Sequence, residues 1–225
     1  MIIAKFIGVV VIGYLLGSIP FGVIISKRKG IDVTQYGSGR MGATNVLRTA
    51  GGKAAAMVFG LDLSKGLLAV VFAGLIIGRD YLVVGGYGLG MLIAQVMAAL
   101  AAIAGHNWSV FLKFKGGRGV ATFFGGLVAL CPIVAILGGE VFIIGSGLTR
   151  FASLASIAAA VSTYGILIPL TILGVFPIEY LIYTLIGTII ILVMHRDNIR
   201  RLMSGRERKL GDKAEAGEAR TKSMG

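Results

Sequence analysis

The stretch IAKFIGVVVIGYLLGSIPFGVII, residues 3–25, carries a single charged side chain, Lys5. About 20 consecutive apolar residues suffice for a helix to cross the hydrocarbon core of a bilayer. No small-residue cleavage site clearly precedes Lys27, so the run reads as a membrane helix rather than a signal peptide. Six further apolar runs follow, at 54–77, 82–104, 119–131, 133–148, 152–173 and 178–194. The fourth and fifth are shorter than a typical span and are separated by Pro132, which fits two short helices or one broken hairpin. Pro169 lies inside the sixth and Pro177 in the turn before the seventh. The fold class predicted is all-α, a polytopic integral membrane bundle of seven transmembrane helices.

Composition agrees. Of 225 residues, 56% are hydrophobic and 14% charged, against about 25% charged in soluble domains. The net charge of +12 would suggest nucleic acid in a soluble chain. Here the cations lie between apolar runs and in the tail, where they set topology and meet anionic lipids or substrates. No nucleic-acid partner is expected. Cys131 lies in an apolar run and reads as a packing residue. With only His106 and His195 besides, no metal site is expected.

The placement of charge orients the bundle. Lys27, Arg28, Lys29, Arg40, Arg48 and Lys53 lie between the first two runs, and Lys113, Lys115 and Arg118 between the third and fourth. Arg150 lies between the fifth and sixth, and Arg196, Arg200, Arg201, Arg206, Arg208 and Lys209 follow the seventh. Seven spans put all of these on one side. The positive-inside rule then places the C-terminus in the cytoplasm and the N-terminus outside. Residues 1–205 read as a single membrane-embedded domain. Residues 206–225 mix both charge signs with small residues and read as a solvated, mobile cytoplasmic tail.

Three cytoplasmic segments concentrate chemistry. The first runs from Tyr36 through Gly37, Ser38, Gly39, Arg40, Gly42, Ala43, Thr44 and Asn45 to Arg48. Its G-x-G-x-x-G spacing lacks the parallel sheet a dinucleotide site requires. Its glycines still allow a nest of backbone N–H groups around an anion, Ser38, Thr44 and Asn45 add neutral donors, Arg40 and Arg48 add positive charge, and Arg48 can grip a phosphate through two parallel hydrogen bonds. The second holds Gly105, His106, Asn107 and Trp108, then Lys113, Lys115, Gly116, Gly117, Arg118 and Gly119. It runs into a helix N-terminus, a natural anion site. It does not fit G-x-x-x-x-G-K-[ST], which disfavours a nucleotide hydrolase. Lys113 reads as a snorkelling side chain, and His106 as either a site residue or an interfacial hydrogen-bonding one.

The third segment holds His195, Asp197, Asn198, Arg200 and Arg201, followed by Gly205 and Glu207. Asn198 falls one helical turn after His195. Arg150 is followed by Ser153 and Ser156 at helical spacing, and such serines either bond their own backbone or face a ligand. Asp62 and Lys65, three apart in the second run, read as a structural pair with Gln95 as a further partner. Glu140 stands alone, far from the cytoplasmic segments.

Together these segments resemble the bacterial acyl-phosphate:glycerol-3-phosphate acyltransferase family. The likeness covers nearly the whole chain before the tail. It rests on Gly17-Ser18-Ile19-Pro20-Phe21-Gly22, on Gly37-Ser38-Gly39 with Gly42 to Arg48, and on Gly105-His106 with Phe114-Lys115-Gly116-Gly117. It rests also on Gly119-Val120-Ala121-Thr122 and on His195 with Asn198, Ile199, Arg201 and Leu202. The resemblance implies seven spans and an active site facing the cytoplasm of a bacterial cell (inner) membrane. It implies transfer of a fatty acyl group from acyl phosphate to the 1-hydroxyl of sn-glycerol 3-phosphate, the first acylation of phospholipid synthesis. It implies essential roles for Ser38 and Arg48, activity roles for His195 and Asn198, acceptor binding at Lys115 to Gly119, and a place in the site for Ser153. Two positions depart from the family: Arg40 stands where Asn is usual, and Arg118 where Lys is usual. Arg40 is therefore given no catalytic role.

Phosphate is a good leaving group, so no covalent acyl-enzyme is required. No cofactor and no obligate protein partner are expected beyond the two substrates and membrane lipids. Catalysis by positioning and charge stabilisation fits the residues. The proton of the attacking hydroxyl goes either to a substrate phosphate oxygen or to His195. The competing reading is a transporter of an organic phosphate, whose polar residues would cluster near the bilayer midplane instead. A third is a structural membrane subunit without chemistry, which leaves the three polar segments unexplained.

Overall fold

The structure, a computed structural model, describes residues 2–85 and 87–212. The described residues contain ten α-helices, two short 3-10 turns and one short hairpin. The first apolar run forms α1 (Ile2–Ser18) and α2 (Phe21–Lys27). Pro20, with no N–H to give, ends α1 and leaves carbonyls that need donors from elsewhere. The Ser109 hydroxyl donates to the Ser18 carbonyl at 2.6 Å and the Lys65 ammonium to the Ile19 carbonyl at 3.2 Å.

The first polar segment folds as a loop and then α3 (Ala43–Ala50), which leads into α4 (Gly52–Ile77). The third expected span starts late. Residues Leu82–Val84 (β1) and Tyr87–Leu89 (β2) pair antiparallel, with Leu82 opposite Leu89. Gly85 at positive φ makes the turn, as tight hairpins require. The helix itself, α5, is Met91–Asn107. After the glycine-rich loop come α6 (Val120–Leu130), α7 (Pro132–Thr149), α8 (Ala152–Ile172), α9 (Ile178–Met194) and α10 (Arg196–Met203).

Five stretches are long and apolar enough to cross a membrane: Ile2–Lys27, Gly52–Ile77, Met91–Leu112, Pro132–Thr149 and Ala152–Ile172. A sixth is counted if α9 and α10, bent by 60°, are taken together. At 11 residues, α6 is only about 16 Å long, well short of a bilayer core of about 30 Å. The pair α6 and α7, split at Cys131, is thus two helices of unequal length. Cys131 is buried in the core beside Leu127 and Val134.

The outside of the bundle is apolar. Leu148 is 82% exposed and Leu75 74%, a surface that only lipid solvates comfortably. Inside, small residues bring helices together, as membrane interfaces favour. A Cβ at Gly17 of α1 would overlap the Ala102 carbonyl of α5, and one at Gly125 of α6 would overlap the Leu63 carbonyl of α4. These contacts lock α1 on α5 and α6 on α4, which brings the loops at one end of the bundle together.

Candidate active site

A cavity of about 110 Å³ opens at that end. Ser38, Gly42, Ala43, Thr44, Asn45, Arg48, Gly117, Arg118, Gly119, Ser153, His195 and Asn198 all line it. Twelve of the sixteen residues singled out from sequence therefore meet in one place. The other four, Gly37, Gly39, Lys115 and Gly116, line a neighbouring outer cavity of about 860 Å³. Ser38, Arg40 and Arg118 belong to both.

The inner cavity is built for an anion. The first turns of three helices border it: Ala43 and Thr44 of α3, Val120 and Ala121 of α6, and Ala152 and Ser153 of α8. Helix N-termini present free N–H groups and partial positive charge. Three guanidiniums, of Arg40, Arg48 and Arg118, join them. Burial, with Arg40 and Arg201 nearby, pushes Arg118 down to about 9. Burial also lowers Arg48, with Arg208 adding to it, and burial lowers Arg40 despite the opposing charge of Asp197. Crowded, partly desolvated cations of this kind call for an anionic ligand. Arg48 Nη2 donates to the Arg208 and Lys209 carbonyls, both at 3.2 Å, while its Nε and that of Arg118 are buried without a hydrogen-bond partner. Phe59 and Phe142 give the same cavity an apolar wall.

The first loop owes its shape to Asn45. Its buried side-chain amide donates to the carbonyls of Val33 (3.0 Å), Tyr36 (3.1 Å) and Arg40 (2.9 Å). Its oxygen accepts the Ser38 N–H at 3.2 Å. Asn45 thus organises the loop around Ser38, whereas sequence placed it among the ligand donors. Gly39, at φ 66, turns the chain where a side chain would be strained. The Ser38 hydroxyl accepts the Arg40 N–H at 3.4 Å, and no imidazole or carboxylate bonds it among the described residues.

His195 sits buried at the bend between α9 and α10. Its Nδ1 lies 2.8 Å from the Ile191 carbonyl. A carbonyl only accepts, so Nδ1 carries the proton and neutral Nε2 is an acceptor. Asn198 Nδ2 donates to Glu207 Oε1 at 2.6 Å, the Ser153 hydroxyl donates to the same oxygen at 2.8 Å, and Arg201 Nε reaches Oε2 at 2.7 Å. Ser156 bonds its own helix at the Ala152 carbonyl.

Several wall residues were named in the sequence but not assigned to the site. Glu207 lines the cavity, although it falls in the stretch read as a tail. Residues 206–212 of that stretch lie against the helix ends, where Leu210 N–H also donates to the Arg150 carbonyl at 2.7 Å. Residues 213–225 lie outside the described residues. Arg40 lines the cavity and donates to the Gly117 carbonyl at 3.0 Å. Asp62 pairs with Lys65 at 2.9 Å, as expected, but it also reaches the cavity wall and stands 3.5 Å from His106 Nδ1. Gln95 is not part of that group: it lies beside Gly74, about two and a half turns along α4 from Lys65.

Comparison with known proteins agrees with the geometry. A family profile described as glycerol-3-phosphate acyltransferase matches residues 7–205. A protein of Dehalococcoides mccartyi named glycerol-3-phosphate acyltransferase 3 is 60% identical over 95% of this chain and 100% of its own length. The glycerol-3-phosphate acyltransferase of Clostridioides difficile is 38% identical over 96% of this chain and 100% of its own. The crystal structure of PlsY (YgiH), an integral membrane glycerol 3-phosphate acyltransferase, matches in its glycerol 3-phosphate form with a TM-score of 0.78, 38% identity, and coverage of 92% of this chain and 96% of that one. Its lysophosphatidic acid form gives 0.77, 37%, and coverage of 92% and 95%. With the profile spanning the three polar segments and most of the bundle, the chain belongs to the glycerol-3-phosphate acyltransferase family.

Proposed function

We propose that this protein transfers a fatty acyl group from acyl phosphate to the 1-hydroxyl of sn-glycerol 3-phosphate, releasing lysophosphatidic acid and inorganic phosphate. The convergence of Arg40, Arg48, Arg118 and three helix N-termini on one cavity beside Ser38 and His195 carries the reading. Both substrates are anions, and the neighbouring structures are of forms named for glycerol 3-phosphate and lysophosphatidic acid.

The donor phosphate sits in the inner cavity, gripped by Arg48 and the N–H groups of Gly42 to Thr44, with its acyl chain along Phe59 and Phe142. The acceptor approaches from the outer cavity along Lys115 to Gly119. The acceptor hydroxyl oxygen attacks the acyl carbonyl carbon, the acyl–oxygen bond to phosphate breaks, and phosphate leaves with the bonding electrons. The lone acceptor nitrogen of His195 supports it as the recipient of the hydroxyl proton. Arg118 and the α6 N-terminus steady the developing charge. Ser38 bonds the donor rather than forming an acyl-enzyme, because no base adjoins it. Asn198 and Ser153 are held in place through Glu207.

We take the chain to cross a bacterial cytoplasmic membrane seven times, counting α9 and, despite its 11 residues, α6, with the site facing the cytoplasm and the N-terminus outside. Supporting this, Lys5 pairs with Asp80 at 2.5 Å at the end of α1 remote from Arg40, Arg48 and Arg118, and Arg79 is the one further cation beside them in sequence. The purified protein in lipid should release phosphate from palmitoyl phosphate only when glycerol 3-phosphate is present, with lysophosphatidic acid as product. Ser38→Ala, Arg48→Ala and His195→Ala should abolish it. Folded protein that shows no such release would overturn the reading.

A further inference from the structure

His106 is three residues from Ser109 in sequence, yet it does not face the membrane surface. It is 3% exposed, packed under the glycine-rich loop. The Gly117 N–H donates to the His106 carbonyl at 3.0 Å. A Cβ at Gly117 would overlap the His106 imidazole at Nε2, and one at Gly116 would overlap the His106 carbonyl. From the other side, Arg40 Nη1 donates to the Gly117 carbonyl at 3.0 Å. The Gly117 peptide is therefore held at its N–H, its carbonyl and its underside at once.

The imidazole in turn faces a buried carboxylate, in a charge contact rather than a hydrogen bond. Asp62 Oδ1 stands 3.5 Å from His106 Nδ1 and 2.9 Å from Lys65 Nζ, and Lys65 is anchored on the Ile19 carbonyl. All three side chains are buried. A carboxylate beside a site for two anionic substrates is costly unless its charge is cancelled, and Lys65 cancels it. What remains for Asp62 is to orient a ring whose Nε2 edge lies under Gly117 and which also borders the inner cavity.

We propose that His106, oriented by Asp62, is a positioning residue for the loop Lys115 to Gly119, acting through the Gly117 peptide to set the acceptor side of the site. This rests on the acyl-transfer reading above. The loop forms the wall between the inner and outer cavities, since Gly117 and Arg118 border the first while Gly116 and Arg118 border the second. A shift of an ångström in the loop would move Arg118 and the acceptor phosphate together, while leaving the donor site at Arg48 in place.

The experiment is steady-state kinetics on purified protein, varying each substrate in turn. His106→Gln removes the ring and leaves the ion pair intact. Asp62→Asn combined with Lys65→Met removes the carboxylate without stranding a buried ammonium. The KM for glycerol 3-phosphate should rise on the order of tenfold or more in either variant, with the KM for the acyl donor within about twofold of wild type. A general loss of folded protein would lower the apparent kcat and leave both KM values alone. That result in His106→Gln, or an equal rise in both KM values, would overturn the proposal. If the double variant does not fold, His106→Gln decides alone. Failure of the wild-type protein to transfer acyl groups at all would instead strike the functional reading.

Discussion

Asn198 Nδ2 and Glu207 Oε1 lie 2.6 Å apart, so a residue of α10 and a residue beyond its end form one wall of the cavity. Glu207 also receives Ser153 of α8 and Arg201, and its side chain is only 5% exposed. Glu207→Ala would leave an arginine, an amide and a hydroxyl without their acceptor. Removing one partner of such a buried group costs about 2–4 kcal/mol. The thermal midpoint of the purified variant should fall accordingly, and Glu207→Gln, which keeps one acceptor oxygen, should fall less. An unchanged midpoint in Glu207→Ala would show that the contact does not hold the wall.

Arg48 tests geometry separately from charge. Its Nη2 is tied to the Arg208 and Lys209 carbonyls while Nε is buried without a partner. Arg48→Lys keeps the positive charge and loses the planar fork. We expect kcat/KM for the acyl donor to drop about 100-fold, equivalent to about 2.7 kcal/mol. A drop of less than about threefold would mean that a point charge suffices there.

Arg118 tests the charge itself. Burial pushes it down to about 9, below the ordinary guanidinium range, so folding disfavours the charged form. The cost is fully present below about pH 9 and declines as the pH rises from there, because the unfolded chain then holds the extra proton. At neutral pH, without ligand, Arg118→Gln should therefore be more stable than wild type. Added inorganic phosphate should stabilise wild type by about 2.7 kcal/mol at a hundred times its Kd, and the variant markedly less. Equal stabilisation of both proteins would place the anion elsewhere.

Packing is tested at Gly125, where a Cβ would overlap the Leu63 carbonyl. Gly125→Val should cost about 1–3 kcal/mol from overpacking alone. Gly60→Ala on α4, with nothing within 4 Å of the new Cβ, serves as the control and should leave the unfolding midpoint unchanged or slightly raised. Similar losses in both would remove the close α4–α6 approach as the cause.

The helical membrane character was legible because it depends on local composition. Apolar length predicts a span whatever the rest of the chain does, and four of the seven expected runs recur almost residue for residue as long helices. Residues 82–89 misled because Leu82, Val83 and Leu89 are as apolar as helix residues. The glycines at 85, 88 and 90 favour a hairpin instead, which periodicity alone does not separate from a helix end. Nine of the twelve residues found together sit in the first two segments, dense in glycine, hydroxyl and arginine, a local signature of anion binding, whereas Ser153, His195 and Asn198 owed their assignment to their places at helix ends and to the family resemblance.

What sequence by itself determined is thus an all-α membrane chain, the three polar segments, and the family. Tertiary structure decided the rest. Glu207 lies in a stretch without periodicity, and only the placement of Ser153, Asn198 and Arg201 turns that stretch into a wall. Asp62 and His106 are 44 residues apart, and no local pattern links them. Their meeting depends on α4 and α5 packing side by side around α1, which glycine contacts make possible. Asn45, read as a ligand donor, holds a loop because its three carbonyl partners converge only in the folded chain. Segment chemistry follows from composition over a few residues, but the direction in which each side chain points follows from helix packing, a sum of contacts across the whole bundle.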